Sequence, residues 1–369
     1  MGTPKFSSST LSLHSTLKRN INTYLEQNKI SAQGNYNLYI KAAFLLFSYV
    51  FIYIHLVFFT PGAWFAVAEC ILLGLLTATI GFNIMHDGAH GSFSKHQWVN
   101  KLAASSLDFL GASSFMWNMK HNVIHHAYTN IDGIDDDINA TPFLRLCNTQ
   151  KRYKFHRYQY IYFWLLYCFL YLFWVFFTDY RKYFSQKIGN VPLPKLKLKD
   201  HIFFWFFKLL YVFLYILLPT FLCGFIPWLT GFLIYSSVGG FLLSIVFQLA
   251  HTVEDTTFAV ATQPSNKIED EWAVHQLKST ANFSTKNKFI TWFVGGLNFQ
   301  IEHHLFPKIS HIHYPVISDI VRQTCRKTGV PYIEHTGIFL AIASHIQHLK
   351  KMGQPFFNPQ CYCSYLMLK

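Results

Sequence analysis

Five apolar runs, each close to the ~20 residues that a helix needs to cross a bilayer, interrupt this chain and constrain its fold more than any other feature. They extend over residues 42–60, 62–82, 160–178, 203–221 and 225–248, and the first, third and fifth contain no Asp, Glu, Lys or Arg. In lipid an unpaired backbone N–H or C=O is too costly for any spanning form other than a helix or a closed barrel. Runs of this length therefore predict an all-α integral membrane protein. The first two are joined by the uncharged turn Thr60-Pro61-Gly62 and the last two by a short turn around Cys223 and Gly224, which predicts two helical hairpins.

Charge fixes the sidedness of the prediction. Arg181, Lys182, Lys187, Lys195, Lys197 and Lys199 cluster between the third and fourth runs, and Lys18, Arg19, Lys29 and Lys41 precede the first. Basic segments of this kind stay on the cytoplasmic side. An even number of crossings must separate them, and the first hairpin already supplies two. The Trp- and Tyr-rich third run is thus expected to lie flat in the interface or to re-enter rather than cross. The expected architecture is four transmembrane helices in two hairpins, plus interfacial helices and a cytoplasmic cap. Both termini and residues 83–159 fall on that same face, as does everything after Gln248. Three segments follow: a cytoplasmic arm at 1–39, a membrane unit at 40–320 and a cytoplasmic C-terminal segment at 321–369.

Composition agrees. Of 369 residues 51% are hydrophobic and 13% charged, whereas soluble chains carry about a quarter charged. The net charge of +13 resides in short segments flanking apolar runs, a topology and lipid-surface signal rather than a nucleic-acid site. The seven Cys lack metal-type spacing; Cys70, Cys168 and Cys223 sit inside apolar runs, and no disulfide framework is indicated.

Nineteen histidines are concentrated in a few places. His86 and His90 stand four apart just past the second run; His121, His125 and His126 form a second cluster; Gln300, Glu302, His303 and His304 form a third. Four-residue spacing puts two imidazoles on one helical face, and imidazole suits iron, copper, nickel and zinc. A lone pair of this kind says little. Three clusters on one predicted face point to a metal site, because interfacial anchoring has no need for repeated paired spacing.

The motifs HDGAH, HNVIHH and QIEHH, in this order and spacing over about residues 40–320, resemble the membrane fatty acid desaturases. The resemblance implies a non-haem centre of two iron ions, with O2 as co-substrate and electrons from an external donor. It implies His86, His90, His121, His125, His126, His303 and His304 as ligands, and His251 at the end of the last spanning helix. Gln300, where many relatives have His, resembles the front-end desaturases; it is expected to bind iron weakly, hold a water or stand behind the ligands. Metal-bound His usually donates its other N–H to a carboxylate or carbonyl, and Asp87 and Glu302 are the expected partners, while Asp135 to Asp137 fit a ligand partner or a solvated loop equally well. Trp117, Trp292 and Phe293 are aromatic candidates for an acyl channel, with plain packing as the alternative. Glu69, inside the second run, must be neutral or paired.

The expected reaction is oxygen-dependent insertion of a cis double bond into a long-chain acyl substrate, acyl-CoA or acyl lipid, with acyl-CoA and a front-end position such as delta-6 the leading expectation. No His-Pro-Gly-Gly haem motif is present, so ferredoxin or cytochrome b5 is the expected donor, steered by the basic surface. The alternatives are a lipid hydroxylase or a sphingolipid or carotenoid oxygenase on the same histidines, and a metal transporter. Transport requires ionisable residues along the spanning interior, and residues 209–247 contain none.

Overall fold

The apolar runs fold as long helices, and the polar segments between them as shorter ones. Residues 3–8, 12–262 and 265–355 are described by this computed structural model; Cys361 and Cys363 lie outside them. In chain order the helices are α1 (Leu13–Gln27), α2 (Tyr36–Phe59), α3 (Ala63–His90), α4 (Gln97–Phe109), α5 (114–128), α6 (Lys154–Ser185), α7 (Leu198–Cys223) and α8 (Phe225–His251). They continue as α9 (Trp272–Ser279), α10 (Lys288–Phe293), α11 (Gln300–Leu305), α12 (Tyr314–Thr328) and α13 (Ile338–Gly353).

Five of these, α2, α3, α6, α7 and α8, are long and apolar enough to cross a membrane. The α2–α3 and α7–α8 hairpins turn at the same end of the bundle, where Cys223 Sγ lies 3.5 Å from the Val57 carbonyl. Glu69, the one carboxylate of α3's apolar stretch, finds His55 of α2 at 2.7 Å across the first hairpin, which supplies the partner that its burial in lipid demands.

α6 behaves differently from the other four. Its start is tied to the loop after α5, where Arg145 N donates to Gln159 Oε1 at 2.8 Å. Its end returns to the same loop, where Lys182 pairs with Asp136 at 2.9 Å. Between these ends it crosses α8 closely. A Cβ at Gly240 would lie 2.8 Å from the Cys168 carbonyl, so only glycine permits this approach.

Opposite the hairpin turns, the polar segments pack into a cap. α1 carries Leu13, Leu17, Ile21 and Leu25 on one buried stripe, the i, i+4 spacing of an amphipathic helix. The Glu271 carboxylate accepts from Leu13 N at 2.9 Å and His14 N at 3.2 Å, satisfying two of the free N–H groups of the first turn. The stripe packs with Ile317 and Val321 of α12, Leu277 of α9, and Ile301 and Leu305 of α11. Residue 39 falls inside α2 and residue 320 inside α12, and α1 and α12 share one apolar core with the helix of the third histidine cluster.

Candidate metal centre

Each histidine cluster sits where a helix reaches the cap. The first closes α3, directly after a wide π turn at Gly81–Met85. His121 and His125 of the second lie within another, Met119–His125, a local widening that recurs at functional sites, and His126 directly follows it. His251 ends α8, and the third cluster is α11 itself. Gly88, between His86 and His90, has a packing reason. A Cβ there would lie 2.6 Å from that of Ala103 and 2.7 Å from the Ala104 backbone N, so the residue lets α4 press against α3.

The start of α5 is pinned by carboxylates from elsewhere. Asp179 of α6 accepts from Ser113 N at 2.7 Å and pairs with Lys208 of α7 at 2.8 Å, both side chains being almost fully buried. Asp108 accepts from Ser114 N at 2.9 Å, and burial pushes its carboxyl up to about 7.

The eight histidines singled out from sequence converge. His86, His90, His121 and His303 bring one ligand atom each within 4.8 Å of one another; so do His125, His251 and His304, and so do His126, His303 and His304. All are at least nine-tenths buried except His90, which is partly exposed as a residue. Ring centroids lie 4.4 Å apart for His86 and His303, 4.7 Å for His125 and His251, and 4.4 Å for His126 and His304.

The two ring nitrogens divide their work. Nδ1 of His125 meets Asp135 Oδ2 at 2.9 Å, and Nδ1 of His304 meets Gln276 Oε1 at 2.9 Å. Nδ1 of His303 meets the Tyr314 hydroxyl at 3.1 Å, and Nδ1 of His251 meets the Ser279 carbonyl at 3.4 Å. Among the described residues, the opposite atom, Nε2, has no protein partner in His125, His251, His303 or His304, nor has Nε2 of His90, although all five atoms are buried. A buried nitrogen without a partner is costly. The arrangement is that of imidazoles held by one nitrogen so that the other can bind a cation. His126 and His121 approach Nε2 to Nε2 at 3.3 Å, again toward the shared space.

Burial drives the imidazoles of His126, His303 and His304 well below their ordinary pKa, helped by repulsion from neighbouring histidines, and it brings His121 down to about 4. These four are neutral at physiological pH, the form that binds metal. His125 goes the other way. Burial lowers it, but the adjacent Asp135 and Asp137 carboxylates more than compensate and raise it. Burial also opposes the charge on Asp137, yet Lys120 holds it well below the usual carboxylate range.

The carboxylates expected behind the ligands are placed differently from expectation. Among the described residues, Asp87 accepts not from a cluster histidine but from Ser310 Oγ at 2.8 Å and His311 Nδ1 at 2.9 Å. Glu302 accepts from Asn282 Nδ2 at 2.7 Å and from the Tyr332 hydroxyl at 3.0 Å, and burial pushes its carboxyl up to about 7. Both residues fasten backbone segments that carry histidines. The reason is geometric: each is adjacent in sequence to a histidine, and adjacent side chains on a helix point in different directions. The groups that do meet the imidazoles include Asp135, Gln276, Ser279 and Tyr314, with Thr129 Oγ1 at 3.2 Å from His304 Nδ1 and Asp137 at 3.7 Å from His121 and His125. Asp135 and Asp137 lay in a segment flagged from sequence; Gln276, Ser279 and Tyr314 carry no motif.

Gln300 opens α11, nearly fully buried, without a side-chain hydrogen bond to the protein among the described residues. Of the aromatic candidates, Trp117 stacks on His121 with centroids 4.4 Å apart at 23°. Trp292 instead lies under Lys41, 4.7 Å from its ammonium, and Phe293 gives its carbonyl to Asn83 Nδ2 at 3.0 Å.

Comparison with known proteins accords with this geometry. Residues 61–336 match the family model for fatty acid desaturases. The chain is 37% identical over 93% of its length to sn-1 linoleoyl-lipid 6-desaturase of Arthrospira platensis, covering 92% of that protein. It is 34% identical to the protein of the same name from Synechocystis sp., over 92% of this chain and 94% of that one. It is also 36% identical to acyl-lipid (8-3)-desaturase of Physcomitrium patens, over 93% of this chain and 72% of that one. Three histidine clusters gathered at one end of a helical bundle, and a family match over most of the length, lead to one conclusion: this chain belongs to the fatty acid desaturase family.

Proposed function

We propose that the protein is an acyl-lipid desaturase with two iron ions, inserting a cis double bond on the carboxyl side of an existing one, at the delta-6 position of a linoleoyl lipid. The observation that carries the reading is the set of buried, unpartnered Nε2 atoms from α3, α5, α8 and α11 that face one another. His86, His90, His121 and His303 would hold one iron, and His125, His251 and His304 the other, with His126 between the two groups. When bound, the irons supply the O2-derived oxidising power that removes hydrogen from unactivated methylenes, which no side-chain acid or base can do.

The chain's own residues perform the rest. Asp135, Gln276, Tyr314 and the Ser279 carbonyl hold Nδ1 atoms and so present Nε2. Burial keeps water out and holds the imidazoles of His121, His126, His303 and His304 neutral. Trp117, stacked on His121, gives the pocket an apolar wall against which a methylene segment can rest. Gln300 offers an amide without a protein partner beside the third cluster and would hold a water there.

An acyl lipid replaces acyl-CoA as the preferred substrate because the relatives' names specify acyl lipids. Electrons would come from ferredoxin or cytochrome b5. The arrangement of α6, which begins and ends against one cap loop, supports four crossings by α2, α3, α7 and α8. Basic segments on that side support a cytoplasmic location for the histidines and both termini.

The test is lipid profiling of a host that makes linoleoyl lipids and an electron donor, expressing the wild type or His125→Ala. A triply unsaturated acyl chain with its new bond at delta-6, absent from the variant, is expected. Matching profiles from two equally abundant proteins would end the proposal, and a hydroxylated product would favour the hydroxylase alternative.

A further inference from the structure

At the end of the bundle remote from the histidines, the two hairpins flank a half-open cavity of about 510 Å³, within the ~300–1,000 Å³ range of small-molecule sites. Leu56, Ala66, Cys70, Trp228, Ile234 and Tyr235 are among its walls. Most polar hydrogens at its surface are already used, the exposed Thr60 and Thr230 hydroxyls apart. Trp228 Nε1 donates to the Tyr215 carbonyl at 2.8 Å, the Tyr53 hydroxyl donates to the Leu214 carbonyl, and Cys223 Sγ lies 3.5 Å from the Val57 carbonyl. A space walled mostly by apolar side chains has little to offer water or a polar ligand. Its walls come from both hairpin turns, which the reading above places in the leaflet opposite the cap.

This cavity is separate from the metal centre. At ~1.5 Å rise per residue, Leu73 of its lining lies roughly 20 Å from His86 along α3, and Tyr235 roughly 24 Å from His251 along α8. Between them stands a belt of buried tyrosines contributed by four helices. Tyr171 of α6 bonds Tyr235 of α8 at 2.6 Å and also the Leu110 carbonyl, and Tyr49 of α2 bonds Tyr215 of α7 at 2.9 Å. A hydrocarbon chain passing from the histidines into the cavity would have to break these buried hydrogen bonds, each expensive to leave unmade.

We propose that the cavity holds the hydrocarbon tail of a lipid from the leaflet opposite the histidines, distinct from the acyl chain that is desaturated. The tail wedges between the hairpins and replaces packing that the side chains there do not provide. The proposal rests on the two hairpins crossing the bilayer and not on the reaction.

The test uses the full-length protein in phosphatidylcholine vesicles doped with a phosphatidylcholine that carries a diazirine at the methyl end of one acyl chain. After illumination, adducts are mapped by peptide mass spectrometry. Adducts are expected at Ala66, Cys70 and Ile234, in excess of those on the lipid-facing Phe47 and Phe51 of α2. Ala66→Phe should lower the cavity adducts roughly tenfold, which is about 1.4 kcal/mol, the equivalent of about two displaced methylenes, and leave those on α2 unchanged. Thr230→Leu fills from the opposite wall and guards against a folding defect in the first variant, with the melting temperature read for both. Substituting part of the vesicle lipid by linoleoyl lipid should lower the cavity adducts no more than those on α2. Adducts confined to the outer faces, adducts unaffected by either filling variant, or displacement by linoleoyl lipid in step with product formation would each overturn the proposal. Lipid products are scored separately, so failure of the desaturase reading leaves this result untouched.

Discussion

Replacing Asp135 by asparagine keeps the shape of the side chain and removes its charge, so it isolates what the carboxylate does for His125. Oδ2 of Asp135 accepts from His125 Nδ1 and from Asn130 N, both at 2.9 Å, and Oδ1 accepts from Asp137 N at 3.0 Å. An amide has one acceptor. With its oxygen toward His125, its NH2 faces the Asp137 N–H; flipped, its NH2 faces two donors. Either orientation sets donor against donor in a buried place: in the first His125 Nδ1 keeps only a neutral acceptor in place of a carboxylate, and in the second it loses its hydrogen bond. Loss of such a partner typically costs 10–100-fold in metal affinity, about 1.4–2.8 kcal/mol. Iron binding to the purified proteins, measured by competition with a chelator of known affinity, should therefore weaken by that factor in Asp135→Asn. Asp132→Asn is the control. Asp132 accepts from Thr149 Oγ1 at 2.7 Å and Gln150 Nε2 at 3.3 Å, within the same loop but away from the imidazoles. Wild-type iron affinity in Asp135→Asn, or an equal loss in both variants, would refute the assignment of Asp135 as the support of a ligand.

Three further outcomes are expected. Lys208→Met strands the buried Asp179 carboxylate and should destabilise the fold by about 3–5 kcal/mol; adding Asp179→Leu should recover part of the loss in thermal melts, and no recovery would deny the pair its importance. Gly88→Val forces a side chain into the 2.6 Å gap to Ala103 and should cost about 1–3 kcal/mol by overpacking together with bound iron, whereas Gly337→Ala, with nothing within 4 Å of the added carbon, should change neither. Burial brings His345 down to about 3 and His348 down to about 4 from 6.5; the unfolded chain binds these protons first, so their stabilisation is complete above pH 6.5 and is lost as pH falls toward 4 and 3. At most about 1.4 kcal/mol per pH unit per group is involved, and melting temperatures of His348→Gln should fall less steeply than wild type between pH 6 and pH 4.5; parallel curves would contradict this.

The third apolar run illustrates what pattern can and cannot convey. Its helix is longer than the other four and about as apolar, so length and hydropathy alone would count five crossings. The charge argument that sets it apart acquires a structural counterpart only in Arg145–Gln159 and Lys182–Asp136, contacts that tie both ends of α6 to one loop. The carboxylates show the reverse case. Asp87 and Glu302 were prominent because each adjoins a histidine, yet sequence adjacency carries no information about direction once a helix has turned each side chain away.

What the sequence determined by itself was local in origin. Apolar runs of bilayer length dictated helices, because backbone polar groups must be satisfied within the segment, and four-residue histidine spacing dictated shared faces, because the helix repeats near that interval. His251 was reachable only by resemblance, as it lacks a paired neighbour. Tertiary structure alone decided which nitrogen of each ring is held. Gln276, Ser279 and Tyr314 come from segments without a motif and meet the imidazoles through the packing of α9 on α8 and α11 and of α12 on α11. Hydrogen bonds between distant segments depend on where whole helices lie, and that is set by the summed burial of many side chains rather than by any pattern near the residues that make the bond.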